Sequence, residues 1–187
     1  MTDVPKTYLT ADDLLADSWR LANLVLRSGF RPTHIVGIWR GGAPVGIAVQ
    51  ELLAYRGVES DHIAIRTSAY AGIDRKKGSI RVYSLSYLVK TLDAADRLLI
   101  VDDVFDTGRS IEAFIDALAS RCRRNMPEEV KVATVYFKPR RNETDRRPDF
   151  FVRETEDWLV FPHELTGLST DEIRANKPGA AIILGEA

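Results

Sequence analysis

The chain of 187 residues carries 26 basic and 27 acidic side chains, a formal charge of -1, so no global field is available to hold a nucleic acid or an anionic membrane. With 45% apolar and 28% charged residues it has the composition of an ordinary soluble globular protein, long enough for one α/β domain with a small appended subdomain and short for two independent ones. The single cysteine, Cys122, excludes an internal disulfide and a thiol metal knuckle, and with neither an apolar signal core nor a run of about 18 apolar residues the expected location is cytoplasmic.

Thr10, then Ala11-Asp12-Asp13 and apolar residues at Leu14, Leu15, Trp19, Ala22, Val25 and Leu26, combines a capping hydroxyl with helical spacing and predicts a first helix to about Arg27. Ser28-Gly29-Phe30-Arg31-Pro32 breaks it, and His34 to Trp39 reads as a buried strand closed by Arg40-Gly41-Gly42. Pro44 opens a second helix to about Tyr55, and a strand at Ile63 to Thr67 completes a β-α-β unit, which implies a parallel pair. Ser68 to Arg81 is rich in Gly, Asp, Lys and Arg without apolar periodicity and is expected to be a long, flexible loop of the lid type.

Leu85 to Leu92 reads as a short helix, and Arg97 to Val101 is the clearest buried strand, ending in two carboxylates. A helix over Ser110 to Arg121 and a strand over Val130 to Phe137 continue the alternation. From Pro148 the rhythm shifts to Phe150-Phe151-Val152, then Asp157 to Pro162, then a helical stretch near Thr170 to Ala175. These are expected to build a small hood over about 148–187, with an N-terminal contribution, inside a single domain spanning 1–187. The fold class predicted is α/β, a central parallel sheet flanked by helices.

In Leu98-Leu99-Ile100-Val101-Asp102-Asp103-Val104-Phe105-Asp106-Thr107-Gly108-Arg109-Ser110, a buried strand delivers adjacent acids to its carboxyl end, where open α/β sheets place ligands. Adjacent carboxylates there need a partner, and a ribose diol beside a divalent cation supplies both hydroxyl donors and positive charge. Asp106 to Ser110 then sets a small-residue turn before a helix, where unpaired N–H groups and two hydroxyls can converge on a phosphate. The competing reading is an ordinary strand with Thr107 or Ser110 capping the next helix.

The string resembles the diphosphate-sugar-binding motif of the type I phosphoribosyltransferase family, and the lysine and hood segments below resemble its purine branch for hypoxanthine, guanine or xanthine. The resemblance implies that Asp102 and Asp103 hold the ribose hydroxyls and a magnesium ion, and that Thr107, Gly108, Arg109 and Ser110 cradle the 5-phosphate. Gly37-Ile38-Trp39-Arg40-Gly41-Gly42 looks like the family's diphosphate loop, which implies contacts from Arg40 and Gly41 and a cis peptide just before Gly41. Ile65 to Tyr70 looks like the start of the mobile lid; Tyr70 matches the family's tyrosine, whereas Ala69 stands where a serine is usual. The rival for the lid is a hairpin of no catalytic consequence.

Val135-Tyr136-Phe137-Lys138-Pro139 ends a strand with a lysine that the resemblance assigns to the purine 6-oxo group; by itself, Lys138 would read as a solvated strand end. Asp157 to Glu164 is similar to the family's hood segment, which implies Trp158 stacking on the base, the Leu159 backbone carbonyl on its edge, and Glu164 near the metal with Asp103. Core packing is the alternative for Trp158. Asp106 falls where the family places the carboxylate that manages the proton of purine N7. The implied activity is transfer of 5-phosphoribosyl from 5-phosphoribosyl 1-diphosphate to a 6-oxopurine with magnesium, by a homo-oligomer, dimer or tetramer, without nucleic acid or membrane. A non-catalytic sensor of the sugar diphosphate and a transferase for another base stay as rivals.

Overall fold

The computed structural model describes residues 5–69 and 80–186, which group into two compact units, one within 15–156 and a smaller one of 5–14 with 157–186. The larger unit contains α1 (Ala11–Arg27, entered from the smaller one), β2 (His34–Trp39), α2 (Gly42–Tyr55), β3 (Asp61–Ala69), β4 (Ile80–Val82), α3 (Ser86–Thr91), β5 (Arg97–Phe105), α4 (Arg109–Cys122), β6 (Glu129–Phe137) and β7 (Phe150–Glu154). The smaller unit holds β1 (Lys6–Tyr8), β8 (Trp158–Val160), α5 (Thr170–Asn176) and α6 (Ala180–Leu184). Among the described residues no helix is long and apolar enough to cross a membrane.

Six strands of the larger unit form one sheet in the order β4-β3-β2-β5-β6-β7, parallel throughout except for the antiparallel β3–β4 pair. The central strands are apolar on both faces because helices cover both. Val36, Ile38, Ile65, Leu98, Ile100 and Val132 join Leu85, Leu88, Ile111, Phe114 and Leu118 in one core cluster with α3 and α4. The alternating residues Ile35, Leu99, Val101 and Val135 are equally buried, and α2 packs on β2 and β5 through its own buried Val45 and Val49. Cys122 is buried at the end of α4, a packing residue.

Several expected boundaries shift. Phe150–Glu154, assigned from the sequence to the hood, is the edge strand β7 of the main sheet, in parallel register with Ala133–Phe137. Asp149 fixes that edge: its carboxylate accepts from Val132 N at 2.8 Å and pairs with Lys131 at 2.8 Å. The expected loop from Ser68 extends β3 to Ala69, and Ile80–Val82 pairs back on it as β4. β5 runs on to Phe105, past the two acids. Neither β1 nor α6 was expected from the sequence.

Asp17 ties α1 to the edge strand. Its side chain is 2% exposed; Arg153 Nε donates to it at 2.8 Å and Arg153 Nη2 at 3.2 Å, and Arg20 also pairs with it. Burial works to raise the proton affinity of this carboxyl, but hydrogen bonds from Arg153 and Arg20 outweigh it and leave the group below its ordinary value. A depressed folded value means that the stabilisation is present above the unfolded carboxyl range, about pH 4, and is lost as pH falls through the folded value. Asp17→Asn is therefore expected to lower the thermal midpoint at pH 7 and to flatten its dependence on pH below about 4. Both arginines stay half-exposed and can be rehydrated, so the loss should be about 2 kcal/mol, under the range of a fully buried pair.

The smaller unit is organised around a two-stranded parallel ladder, Lys6↔Trp158 to Tyr8↔Val160. Glu172 joins α5 to β1. Its carboxylate receives Lys6 and the Tyr8 hydroxyl while closing a capping box with Ser169, and these contacts, Lys6 first, hold its proton affinity down to about 2. The buried Lys177 donates to the carbonyls of Phe161 at 2.7 Å and Pro162 at 3.4 Å, which shapes the turn after β8.

Candidate active site

The strand order places a topological switch between β2 and β5: β2 is followed by β3 on one side, whereas β5 is followed by β6 and β7 on the other. Crevices at the carboxyl ends of strands flanking such a switch are where open α/β sheets bind ligands. β2 and β5 pair only from His34↔Leu98 to Gly37↔Val101, while β2 continues beside β3 through Ile38↔Ile65 and Trp39↔Arg66. The two strands therefore part just before Arg40-Gly41-Gly42 on one and Asp102-Asp103 on the other.

These two segments meet. A Cβ on Gly41 would lie 1.7 Å from Asp103 Oδ2, and one on Gly42 would lie 2.5 Å from the Val101 carbonyl and 2.9 Å from Asp102 Oδ1. Only backbone without a side chain fits there, so glycine lets the loop lie directly on the acids. The Trp39–Arg40 peptide is cis. The resemblance implied a cis bond one residue later, between Arg40 and Gly41; the distinctive peptide stands before the arginine instead.

The acids are held in place by their own strand. Asp103, 8% exposed, accepts from Val104 N at 2.8 Å, and Asp102 Oδ1 accepts from Asp103 N at 3.0 Å. Burial, with the neighbouring Asp103 charge second, drives the Asp102 carboxyl well above the ordinary carboxylate range. A cation or hydroxyl donors would relieve that cost. Two adjacent carboxylates suit magnesium, which keeps waters and substrate oxygens as its other ligands. Among the described residues no group of three or more His, Cys, Asp or Glu forms a metal cage. Glu164, expected beside Asp103 at the metal, belongs to the smaller unit, where Oε2 accepts from Phe161 N at 3.0 Å within its own turn.

Beyond the acids, Asp106-Thr107-Gly108 turns the chain into α4. Gly108 is the residue before the helix, with φ +78°, a left-handed conformation that favours glycine; a Cβ there would also meet Thr144 Oγ1 at 2.6 Å and the Phe105 ring at 2.7 Å. No side chain caps α4, so neither Thr107 nor Ser110 takes the capping role the bland reading gave it. The helix begins at Arg109, whose guanidinium pairs with Glu143 at 2.5 Å.

Lys138 follows β6 directly. Phe105 and Phe137 are in register, their rings edge to face with centroids 5.7 Å apart, and Lys138 N donates to Phe105 O at 2.9 Å. Lys138 thus stands beside Asp106 at the tips of neighbouring strands. At 6% exposure it is not a solvated strand end. In the smaller unit Trp158 is 56% exposed, so core packing does not account for it, whereas Leu159 is buried. Tyr70 lies outside the described residues.

One residue of the site was not singled out as functional. Arg141 Nε lies 2.7 Å from Asp106 Oδ1. In the sequence it is one of four arginines, Arg140, Arg141, Arg146 and Arg147, in a basic stretch among acids and turn formers, and nothing in that stretch distinguishes the one that reaches a carboxylate.

The model of the phosphoribosyl transferase domain matches residues 6–169. No curated protein sequence matches the chain. Among solved structures, a purine phosphoribosyltransferase from Pyrococcus horikoshii is similar at 27% identity and TM-score 0.66, over 88% of this chain and 97% of that one. A hypothetical protein from Neisseria gonorrhoeae with bound ppGpp superposes with TM-score 0.73 at 18% identity, over 94% and 97%. A hypoxanthine phosphoribosyltransferase from Staphylococcus aureus does so with TM-score 0.62 at 18% identity, over 90% and 88%; at such identities the likeness shows the fold alone. The chain belongs to the phosphoribosyl transferase domain family and has the type I phosphoribosyltransferase fold, as the Asp102–Ser110 string implied.

Proposed function

We propose that the protein transfers the 5-phosphoribosyl group of 5-phosphoribosyl 1-diphosphate to a 6-oxopurine, releasing diphosphate. The observation that carries this reading is that Asp106 and Lys138 directly follow the in-register residues Phe105 and Phe137 at adjacent strand tips, beside an uncapped helix start. On a 6-oxopurine, N7 and the 6-oxo group share one edge, so a carboxylate and an ammonium side by side match that edge and mismatch a 6-amino purine or a pyrimidine.

In this reading Asp102 and Asp103 receive the ribose diol, and the amides of Thr107, Gly108, Arg109 and Ser110 receive the 5-phosphate at the positive end of α4. The Arg40–Gly41 loop faces the diphosphate, with Tyr70 closing over it. The bond from the anomeric carbon to the diphosphate oxygen breaks as a purine ring nitrogen forms the new bond, and Asp106 holds the N7 proton during attack. The exposed ring of Trp158 is suited to stack on a purine, with the Leu159 carbonyl at the base edge. Asp102 and Asp103 would hold magnesium, with Glu164 a further candidate, and the ion would supply charge neutralisation at the leaving diphosphate. Homo-oligomer formation and a cytoplasmic location go with this reading.

Diphosphate release, measured with magnesium and each purine and pyrimidine base in turn, tests it: release is expected with hypoxanthine, guanine or xanthine. Binding of the sugar diphosphate without base-dependent release would support a sensor instead, and release with adenine or uracil alone would reassign the base. Lys138→Ala is expected to cut the preference for 6-oxo over 6-amino purines by roughly tenfold or more, the scale of one charged hydrogen bond. Unchanged selectivity would remove Lys138 from base recognition.

A further inference from the structure

Asp106 has two unlike oxygens. Oδ1 is sealed from solvent and receives no hydrogen bond of good geometry, and the Nε of Arg141 lies against it at 2.7 Å. The side chain as a whole is nevertheless 36% exposed, so that exposure belongs to Oδ2 and the methylene. One oxygen is turned inward to an arginine and the other outward.

Arg141 is not a loosely placed surface cation. Its backbone N–H donates to Lys138 O at 3.2 Å, and Asn142 organises the following turn, accepting from Thr144 N and Thr144 Oγ1 at 3.0 Å each and donating to Arg146 O at 2.9 Å. The turn is clipped to the start of α4 by Glu143 N donating to Thr107 O at 3.0 Å, by the Arg109–Glu143 pair and by Thr144 lying against Gly108. The segment after Lys138 is thereby built onto the Asp106–Arg109 turn and carries Arg141 to a fixed place.

We propose that Arg141 is a positioning residue: it engages Oδ1 of Asp106, fixes the rotation of the carboxylate and leaves Oδ2 to meet the incoming base. A carboxylate free to rotate would divide its time among orientations, whereas one oxygen held by a guanidinium presents the other in one direction. The inference rests on the reading of Asp106 as the proton-handling group.

Turnover, KM for base and sugar diphosphate, and thermal midpoint are to be measured for Arg141→Met, Arg141→Lys and Arg141→Met combined with Asp106→Asn, with Arg140→Met as the neighbouring-charge control. The expected result is a kcat loss of roughly tenfold to a hundredfold for Arg141→Met, the scale of a misplaced catalytic group. KM for the sugar diphosphate should hold within about twofold, and Arg141→Lys should recover part of kcat. In the Asp106→Asn background the same change should cost nothing further, because the proton-handling carboxylate that Arg141 would orient is already absent, even though the amide oxygen is still within its reach. A wild-type kcat for Arg141→Met, an equal loss in both backgrounds, or an equal loss in Arg140→Met would overturn the proposal while leaving Asp106 in its role. Near-normal turnover of Asp106→Asn alone would remove the parent reading, and this inference with it.

Discussion

Asp106→Asn is expected to lower turnover by roughly a hundredfold to ten-thousandfold, the usual contribution of a positioned acid–base group, while the sugar diphosphate still binds. Asparagine keeps the size and one oxygen of the side chain, and Arg141 can still approach that oxygen, so the turn into α4 has no reason to move. What disappears is the ability to hold and return a proton. The phosphate-facing amides of Thr107 to Ser110 are backbone and survive the substitution, which is why equilibrium binding of the sugar diphosphate should change by less than about threefold. Single-turnover rates with saturating base, alongside calorimetric binding, separate the two quantities. A variant that turns over normally would take Asp106 out of the mechanism.

Gly41→Ala is expected to abolish tight binding of the sugar diphosphate and to destabilise the fold by about 1–3 kcal/mol, the cost of overpacking a filled site. The added methyl would stand 1.7 Å from Asp103 Oδ2, and neither neighbour can retreat easily: Asp103 is buried and anchored to Val104 N, and Gly42 already lies against the Val101 carbonyl. Either the loop lifts or the acid swings away, and both open the crevice at the switch point. Gly46→Ala is the proper control. Its Cβ would meet Gly37 Cα at an ordinary 3.5 Å within helix α2, where alanine is the better helix former, so stability should hold or rise. Thermal melts and titration calorimetry on both variants decide the matter, and full affinity in Gly41→Ala would show that the contact between loop and acid is dispensable.

The central strands were readable because they are buried on both faces, which makes a continuous apolar run such as Leu98 to Val101 hard to mistake. The acids and glycines were readable for the same reason: their placement after those strands is a local matter of spacing. What escaped were pairings between distant segments. Phe150-Phe151-Val152 looks like part of a cap because the basic run before it hides that β6 lies open as a partner, and Lys6–Tyr8 carries no strand signal of its own. The cis bond falls at Trp39–Arg40 and not one peptide later, since spacing alone locates a loop to within a residue. Arg141 escaped for a different reason. Side-chain ion pairs form after the turn geometry is set, and charge in a run does not say which member meets a partner.

The β1–β8 ladder has a consequence for how the molecule is made. Its strands sit about 150 residues apart, as the hydrogen bond from Thr7 of β1 to Asp157, just before β8, illustrates. A ribosome extends the chain at roughly 5–20 residues per second, so Lys6–Tyr8 emerges many seconds before Trp158–Val160 exists to receive it. Strands β2 to β6 of the large sheet are complete well before β8 and can assemble in that interval. Lys6–Tyr8 thus leaves the exit tunnel well before its partner strand and is among the last elements to find its place.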